Sequence, residues 1–209
     1  MNHIFNFFLS AYEHTPVGDI VLEAIAFVFG IASVVYSKKE NILVYPVGLV
    51  ATVITVYLLY KAQYFGDMMM NFYYSVMSIY GWWNWSRKKN NETVVPISRT
   101  TVAEKIIGVL LVIITMVITY EVYKYFGYEI KPENYIDIFT SGIFFTGMWY
   151  MAKKKIENWT LWIFADLITV PLYAYRGLGM LSLQYLIFTI LAVQGYLAWK
   201  KSLDKNPIN

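Results

Sequence analysis

Seven stretches of this chain stay apolar long enough to cross a bilayer: 18–36, 41–60, 67–85, 102–125, 135–151, 157–175 and 179–199. A helix rises about 1.5 Å per residue, so roughly 20 mostly apolar residues span the hydrocarbon core. Short polar breaks separate them, several basic: Lys38-Lys39, Arg87-Lys88-Lys89, Lys153-Lys154-Lys155 and Lys200-Lys201. Only the stretch from Lys88 to Thr101 is a polar linker of any length. Gly66, Gly177 and Gly179 mark tight turns, where the missing Cβ relieves the steric cost of reversal. The pattern predicts an all-α integral membrane protein of seven transmembrane helices.

An internal repeat organises them. Glu40-Asn41 recurs as Glu157-Asn158, Thr52-Val53 as Thr169-Val170 and Gly30 as Gly147, all 117 residues on. Gly81 and Trp85 recur as Gly195 and Trp199 at 114, a difference that predicts a small loop deletion. Helices one to three thus pair with five to seven. Equivalent helices lie four spans apart, an even number, so the two repeats run parallel around one inverting helix. This is the 3+1+3 plan of SWEET-like sugar-efflux transporters. The boundaries are an interfacial segment at 1–17, a first three-helix repeat at 18–86, a polar loop and linking helix four at 87–133, a second repeat at 134–200 and a cytoplasmic tail at 201–209.

Composition agrees. Residues are 58% hydrophobic and only 15% charged, with a mean hydropathy of +0.46, whereas a soluble domain carries about a quarter charged residues. The residues Met1 to Phe8 lack a basic n-region and a cleavage site, so an amphipathic helix is expected there and not a signal peptide. Basic residues sort by side. The segments after helices one, three, five and seven hold Lys38, Lys39, Arg87, Lys88, Lys89, Arg99, Lys105, Lys153, Lys154, Lys155, Lys200, Lys201 and Lys205. The opposite side holds Lys61, Lys124, Lys131 and Arg176. The positive-inside rule then places the N-terminus outside and the C-terminus in the cytoplasm.

Much chemistry is excluded. The net charge of +3 is too small and scattered for nucleic acid. There is no cysteine, and both histidines, His3 and His14, precede the first span, so no metal cluster or Ser-His-Asp triad is expected at the midplane. No Gly-rich loop ends in Gly-Lys-Ser/Thr, so no nucleotide cofactor is expected.

The polar residues inside the spans point elsewhere. On helix six, Asn158, Trp162, Asp166, Thr169 and Tyr173 fall within one arc of about 80°. An acidic residue at mid-span costs roughly 2.5–3.5 kcal/mol on insertion scales, so Asp166 needs a substrate path, a partner or a proton. Pro171 removes the hydrogen bond to the Leu167 carbonyl and predicts a kink or gate. Helix three carries Asp67, Asn71, Ser75, Ser78, Trp82 and Trp85 on one face; helix two offers Asn41, Tyr45, Thr52 and Thr55; helix seven offers Tyr185, Thr189, Tyr196 and Trp199. Trp83 and Trp199 read as interface anchors. The expected ligand contacts are Asn158, Trp162, Asp166, Thr169, Asn71, Tyr45, Thr52, Tyr185 and Gln194. A cavity of rings, amides and hydroxyls suits a flat, hydroxylated, neutral or weakly cationic ligand.

These motifs resemble the nicotinamide riboside transporter family (PnuC). The resemblance rests on the run Glu157-Asn158-Trp159-Thr160-Leu161-Trp162, Asp166, Val170-Pro171-Leu172-Tyr173 and Arg176-Gly177-Leu178, together with Gly66-Asp67 and Ile79-Tyr80-Gly81-Trp82-Trp83-Asn84-Trp85. It implies a carrier, not an enzyme, that moves a nucleoside-like vitamin down its gradient across the inner membrane. A cytoplasmic kinase then traps the substrate by phosphorylation. Asn158 and Trp162 match the substrate-contacting Asn and Trp of the family's sixth helix. Asn71 stands where the family pattern has Gln, which leaves thiamine and riboflavin open as alternatives. A homo-oligomer is expected, a trimer among its forms. A membrane-embedded enzyme or a sensor is the reading from another class.

Overall fold

The structure, a computed structural model, describes residues 12, 15–61, 65–89, 92–93, 95–125, 130–176 and 178–205. Most of the interfacial segment expected at 1–17, both histidines and Gly177 lie outside the described residues. Among the described residues seven helices follow in order: α1 (Val17–Lys38), α2 (Val44–Lys61), α3 (Phe65–Ser86), α4 (Val102–Tyr125), α5 (Pro132–Ala152), α6 (Glu157–Tyr175) and α7 (Gly179–Lys205). A two-residue antiparallel ribbon, Lys88–Lys89 against Glu92–Thr93, interrupts the linker after α3. The hydropathy windows and the helices agree in number and order, and α4 and α6 match at both ends. α2 starts later than its window, because the Asn41 carboxamide oxygen accepts the Leu43 N–H at 2.9 Å and holds a turn. α1, α2, α4 and α7 are long and apolar enough to cross a membrane. α3, α5 and α6 have 22, 21 and 19 residues, lengths that also span, but carry the polar faces.

Six helices close a ring: α1 packs on α2, α2 on α3, α3 on α5, α5 on α6, α6 on α7, and α7 back on α1. α4 stands outside it, mainly against α5. Its start is a capping box: the Glu104 N–H donates to Thr101 Oγ1 at 3.2 Å and the Thr101 N–H to Glu104 Oε2 at 2.9 Å. Glu104 also pairs with Lys153 at 2.7 Å and Lys155 at 3.0 Å, tying α4 to the end of α5.

Several local contacts within α1–α3 recur within α5–α7 at a spacing of 114 residues. Both α1 and α5 end in a Schellman turn whose left-handed residue is not glycine: Glu40 (φ 55°) and Lys154 (φ 52°). The Asn41 N–H reaches the Tyr36 carbonyl at 2.9 Å, and the Lys155 N–H reaches that of Tyr150 at 2.9 Å. Tyr45 lies against Gly81 and edge-on to Trp85 at 5.1 Å and 87°. Trp159 lies against Gly195 and edge-on to Trp199 at 5.4 Å and 87°. The indole N–H groups are exchanged: Trp85 donates to the Ala152 carbonyl at 3.2 Å and Trp199 to that of Ser37 at 3.1 Å.

The 117-residue match is therefore not the structural one. Asn41 closes a turn, whereas Asn158 sits inside α6, and Thr52 corresponds to Asp166 instead of Thr169. One spacing serves all three helices and no loop deletion is needed. Shared dipeptides at a helix start misled the register.

The turns after α1 and α5 and the end of α7 meet at one end of the ring. Lys154, 6% exposed, has its ammonium 3.7 Å from Glu40 Oε2 and 4.6 Å over the Trp85 ring. Burial pushes its pKa below the ordinary lysine value, against the opposing pull of Glu40. Ser202 donates to Glu40 at 3.2 Å. The linker closes over this end: the Ser98 N–H bonds to the Lys154 carbonyl at 3.1 Å, and Ile97 is buried in the core. At the opposite end Lys61 pairs with Asp19 at 2.5 Å and Arg176 with Asp137 at 2.7 Å.

Candidate functional site

Between the six helices of the ring lies a cavity of about 190 Å³. All six ring helices line it and α4 does not. Its most distinctive group is Asp166 on α6. The residue is 3% exposed, and among the described residues its carboxylate has neither a hydrogen-bond nor an ion-pair partner. Among the described residues, no lysine or arginine lines the cavity. A carboxylate so placed costs free energy unless a proton or a cation answers it.

One turn before Asp166, Trp162 forms another wall. Its indole rests on Gly147, where any Cβ would collide with the ring, and meets Trp159 edge-on at 5.7 Å. Tyr185 on α7 lies stacked against Tyr173 at 5.3 Å and edge-on to Phe188 at 6.1 Å. Thr52 on α2 accepts the Ser75 hydroxyl at 2.8 Å. Four of the nine expected contacts, Trp162, Asp166, Thr52 and Tyr185, are thus brought together on one cavity.

Five lie outside its lining. Asn158 is fully buried and donates to the Lys155 carbonyl at 2.6 Å, with its Oδ1 unpartnered. Thr169 turns back to the Ala165 carbonyl at 2.8 Å. Asn71 bonds to the Asp67 carbonyl at 3.0 Å. Tyr45 is held in the core by Gly81 and Trp85. Gln194 is exposed and accepts from Lys38 at 2.9 Å. Along α6 the lining runs only from Trp162 to Asp166, so Asn158 before it and Thr169 after it turn to nearby backbone carbonyls instead.

Hydropathy also passed over several lining residues. Ser33 donates to the Val44 carbonyl at 2.8 Å, and Ser37 lines the wall too, with Gly48 between the helices, beside Ser78 from the expected face of helix three. Their signal was in the sequence at the 114-residue spacing. It sets Gly48 against Trp162, Thr52 against Asp166, Ser37 against Met151 and Tyr74 against Phe188, all of them lining.

Comparison with known proteins agrees with this architecture. The family model described as nicotinamide mononucleotide transporter matches residues 20–201. The nicotinamide riboside transporter PnuC of Escherichia coli (strain K12) is 26% identical over 217 residues, with 90% of this chain and 91% of that protein covered. The PnuC of Neisseria mucosa is 25% identical, covering 90% and 75%. The riboflavin/roseoflavin transporter RibM of Streptomyces davaonensis is 24% identical over 139 residues, 63% of each chain. A solved structure, the crystal structure of the vitamin B3 transporter PnuC, superposes with a TM-score of 0.71 at 25% identity, covering 90% of this chain and 84% of that one. Matched over nearly its whole length, this chain belongs to the nicotinamide mononucleotide transporter family, a family of membrane transporters and not of enzymes.

Proposed function

We propose that this protein imports nicotinamide riboside by facilitated diffusion, supplying NAD biosynthesis. The family description names the mononucleotide, whereas the PnuC relatives are named for the riboside. The observation that supports the riboside is the unpartnered carboxylate of Asp166 in a cavity that no lysine or arginine lines among the described residues. A pyridinium ring is a cation that this carboxylate answers, with Trp162 offering a π face beside it. A phosphate dianion would enter with no cationic partner and against a negative charge. The same chemistry supports metabolic trapping: once a cytoplasmic kinase phosphorylates the riboside, the product no longer fits the path out.

Thiamine, also a cation, is the second reading that Asp166 favours. Riboflavin is neutral and brings no cation for the Asp166 carboxylate to answer. Of the residues expected to touch substrate, we assign Trp162, Asp166, Thr52 and Tyr185 to direct contact. Asn158, Thr169, Asn71, Tyr45 and Gln194 support the helices that carry them.

The reciprocal contacts at 114 residues support two parallel three-helix repeats, 18–86 and 134–200, joined through the linking helix within 87–133. The basic end of the ring is assigned to the cytoplasm of a multi-pass inner-membrane protein, with the N-terminus outside. A homo-oligomer, a trimer being the form to test, completes the picture.

Competition for labelled nicotinamide riboside on purified protein tests the substrate. Unlabelled riboside should displace it, and the mononucleotide should displace at least a hundredfold more weakly. Equal displacement by the two would refute the argument from charge.

A further inference from the structure

The two walls of the cavity differ in chemistry at matched positions. Where α6 presents Trp162 and Asp166, α2 presents Gly48 and Thr52. Apart from Tyr74 and two valines, the α1–α3 wall is small and hydroxylic. Ser37 is fully buried and lines the cavity, and its Oγ has no hydrogen-bond partner. Ser78, 4% exposed, also lines the cavity with no hydrogen-bond partner among the described residues. The α5–α7 wall presents aromatic rings and methionines around the carboxylate, and among the described residues Tyr185 is its only hydroxyl.

We infer that the ligand is held in one orientation, its cationic ring on α6 and its sugar hydroxyls against Ser37 and Ser78 in the space left by Gly48. Two buried hydroxyls without partners are costly to leave so, and a sugar supplies both donors and acceptors for them. Gly48 is what leaves room. A side chain there would first meet Ser33 Oγ, 2.7 Å from an added Cβ, and a larger one would take the sugar's place. Residues on α1 and α3 thereby set selectivity for a nucleoside over the bare cationic ring. This orientation rests on the proposed riboside substrate.

The test is a cycle between protein and ligand. Affinities of nicotinamide riboside and of its 2′,3′-dideoxy analogue are measured on the parent, on the double variant Ser37→Ala/Ser78→Ala and on Asp166→Asn. The double variant should weaken the riboside about tenfold, as loss of one to two hydrogen bonds does. It should leave the dideoxy analogue within twofold of the parent's value. Asp166→Asn should weaken both ligands by a similar factor, since each keeps the charged ring. Equal losses for both ligands in the double variant, or none for either, overturns the orientation while the substrate reading stands. An Asp166→Asn effect confined to the riboside would place the sugar on α6 and reverse it. If the parent does not bind the riboside, the substrate reading fails and the orientation with it.

Discussion

Trp162→Ala is the substitution whose effect can be worked out most fully. The indole lines the cavity one turn from Asp166, its position fixed by Gly147 behind and Trp159 at 5.7 Å beside it. An aromatic ring stacked on it gains about 0.5–1.5 kcal/mol beyond area burial, and a desolvated cation over its face gains about 2 kcal/mol. These overlap for a pyridinium, so the loss is about 1.4–2.8 kcal/mol, or roughly tenfold to a hundredfold in Kd. Trp162→Phe should lose less, because the smaller ring keeps a π face. Trp83→Ala is the control: Trp83 is 59% exposed, does not line the cavity and carries Arg87 at 5.3 Å over its ring. It should change expression or stability more than affinity. Calorimetry on detergent-solubilised variants with confirmed folding reads the difference. Parent-like affinity in Trp162→Ala, with affinity lost in Trp83→Ala, would refute the assignment.

Other expectations can be checked on the same material. Asp166→Asn should cut riboside affinity at least tenfold while leaving the melting temperature equal or higher, since a costly unpaired carboxylate is removed; thermal scans and binding decide. Gly195→Ala should destabilise by about 1–3 kcal/mol, because the added Cβ lies 2.6 Å from the fully buried Trp159 ring, whereas Gly18→Ala, with nothing within 4 Å, should be neutral. A reporter fused after Lys205 should read cytoplasm, and one in the turn between α2 and α3 should read outside; the same side for both would contradict the alternating topology.

Hydropathy was enough for the number and order of the helices, because lipid demands long apolar runs and basic loops break them. It also pointed to Trp162 and Asp166, which line the cavity, since a carboxylate at mid-span does not face lipid. The repeat was visible but its register was not. Glu40-Asn41 and Glu157-Asn158 are chemically identical yet structurally unrelated, one pair completing a Schellman turn and the other opening α6. With the register off by three, Thr52 was matched to Thr169, and Gly48 had no counterpart to mark it as the place where an indole is missing. Tyr45 was assigned to the ligand for its polar ring, but Gly81 leaves a slot that the ring fills within the core. That complementarity lies between helices, where periodicity along one helix carries no information.

The central claim is passive carriage of the riboside, and uptake into kinase-free proteoliposomes tests it most directly. With labelled nicotinamide riboside outside, the internal concentration should rise to the external one and stop. Thiamine should enter more slowly and riboflavin not at all. Enclosing a riboside kinase and ATP should then carry accumulation past that level. Accumulation of unmodified riboside above the external concentration, or uptake of thiamine or riboflavin with no uptake of the riboside, would contradict the account.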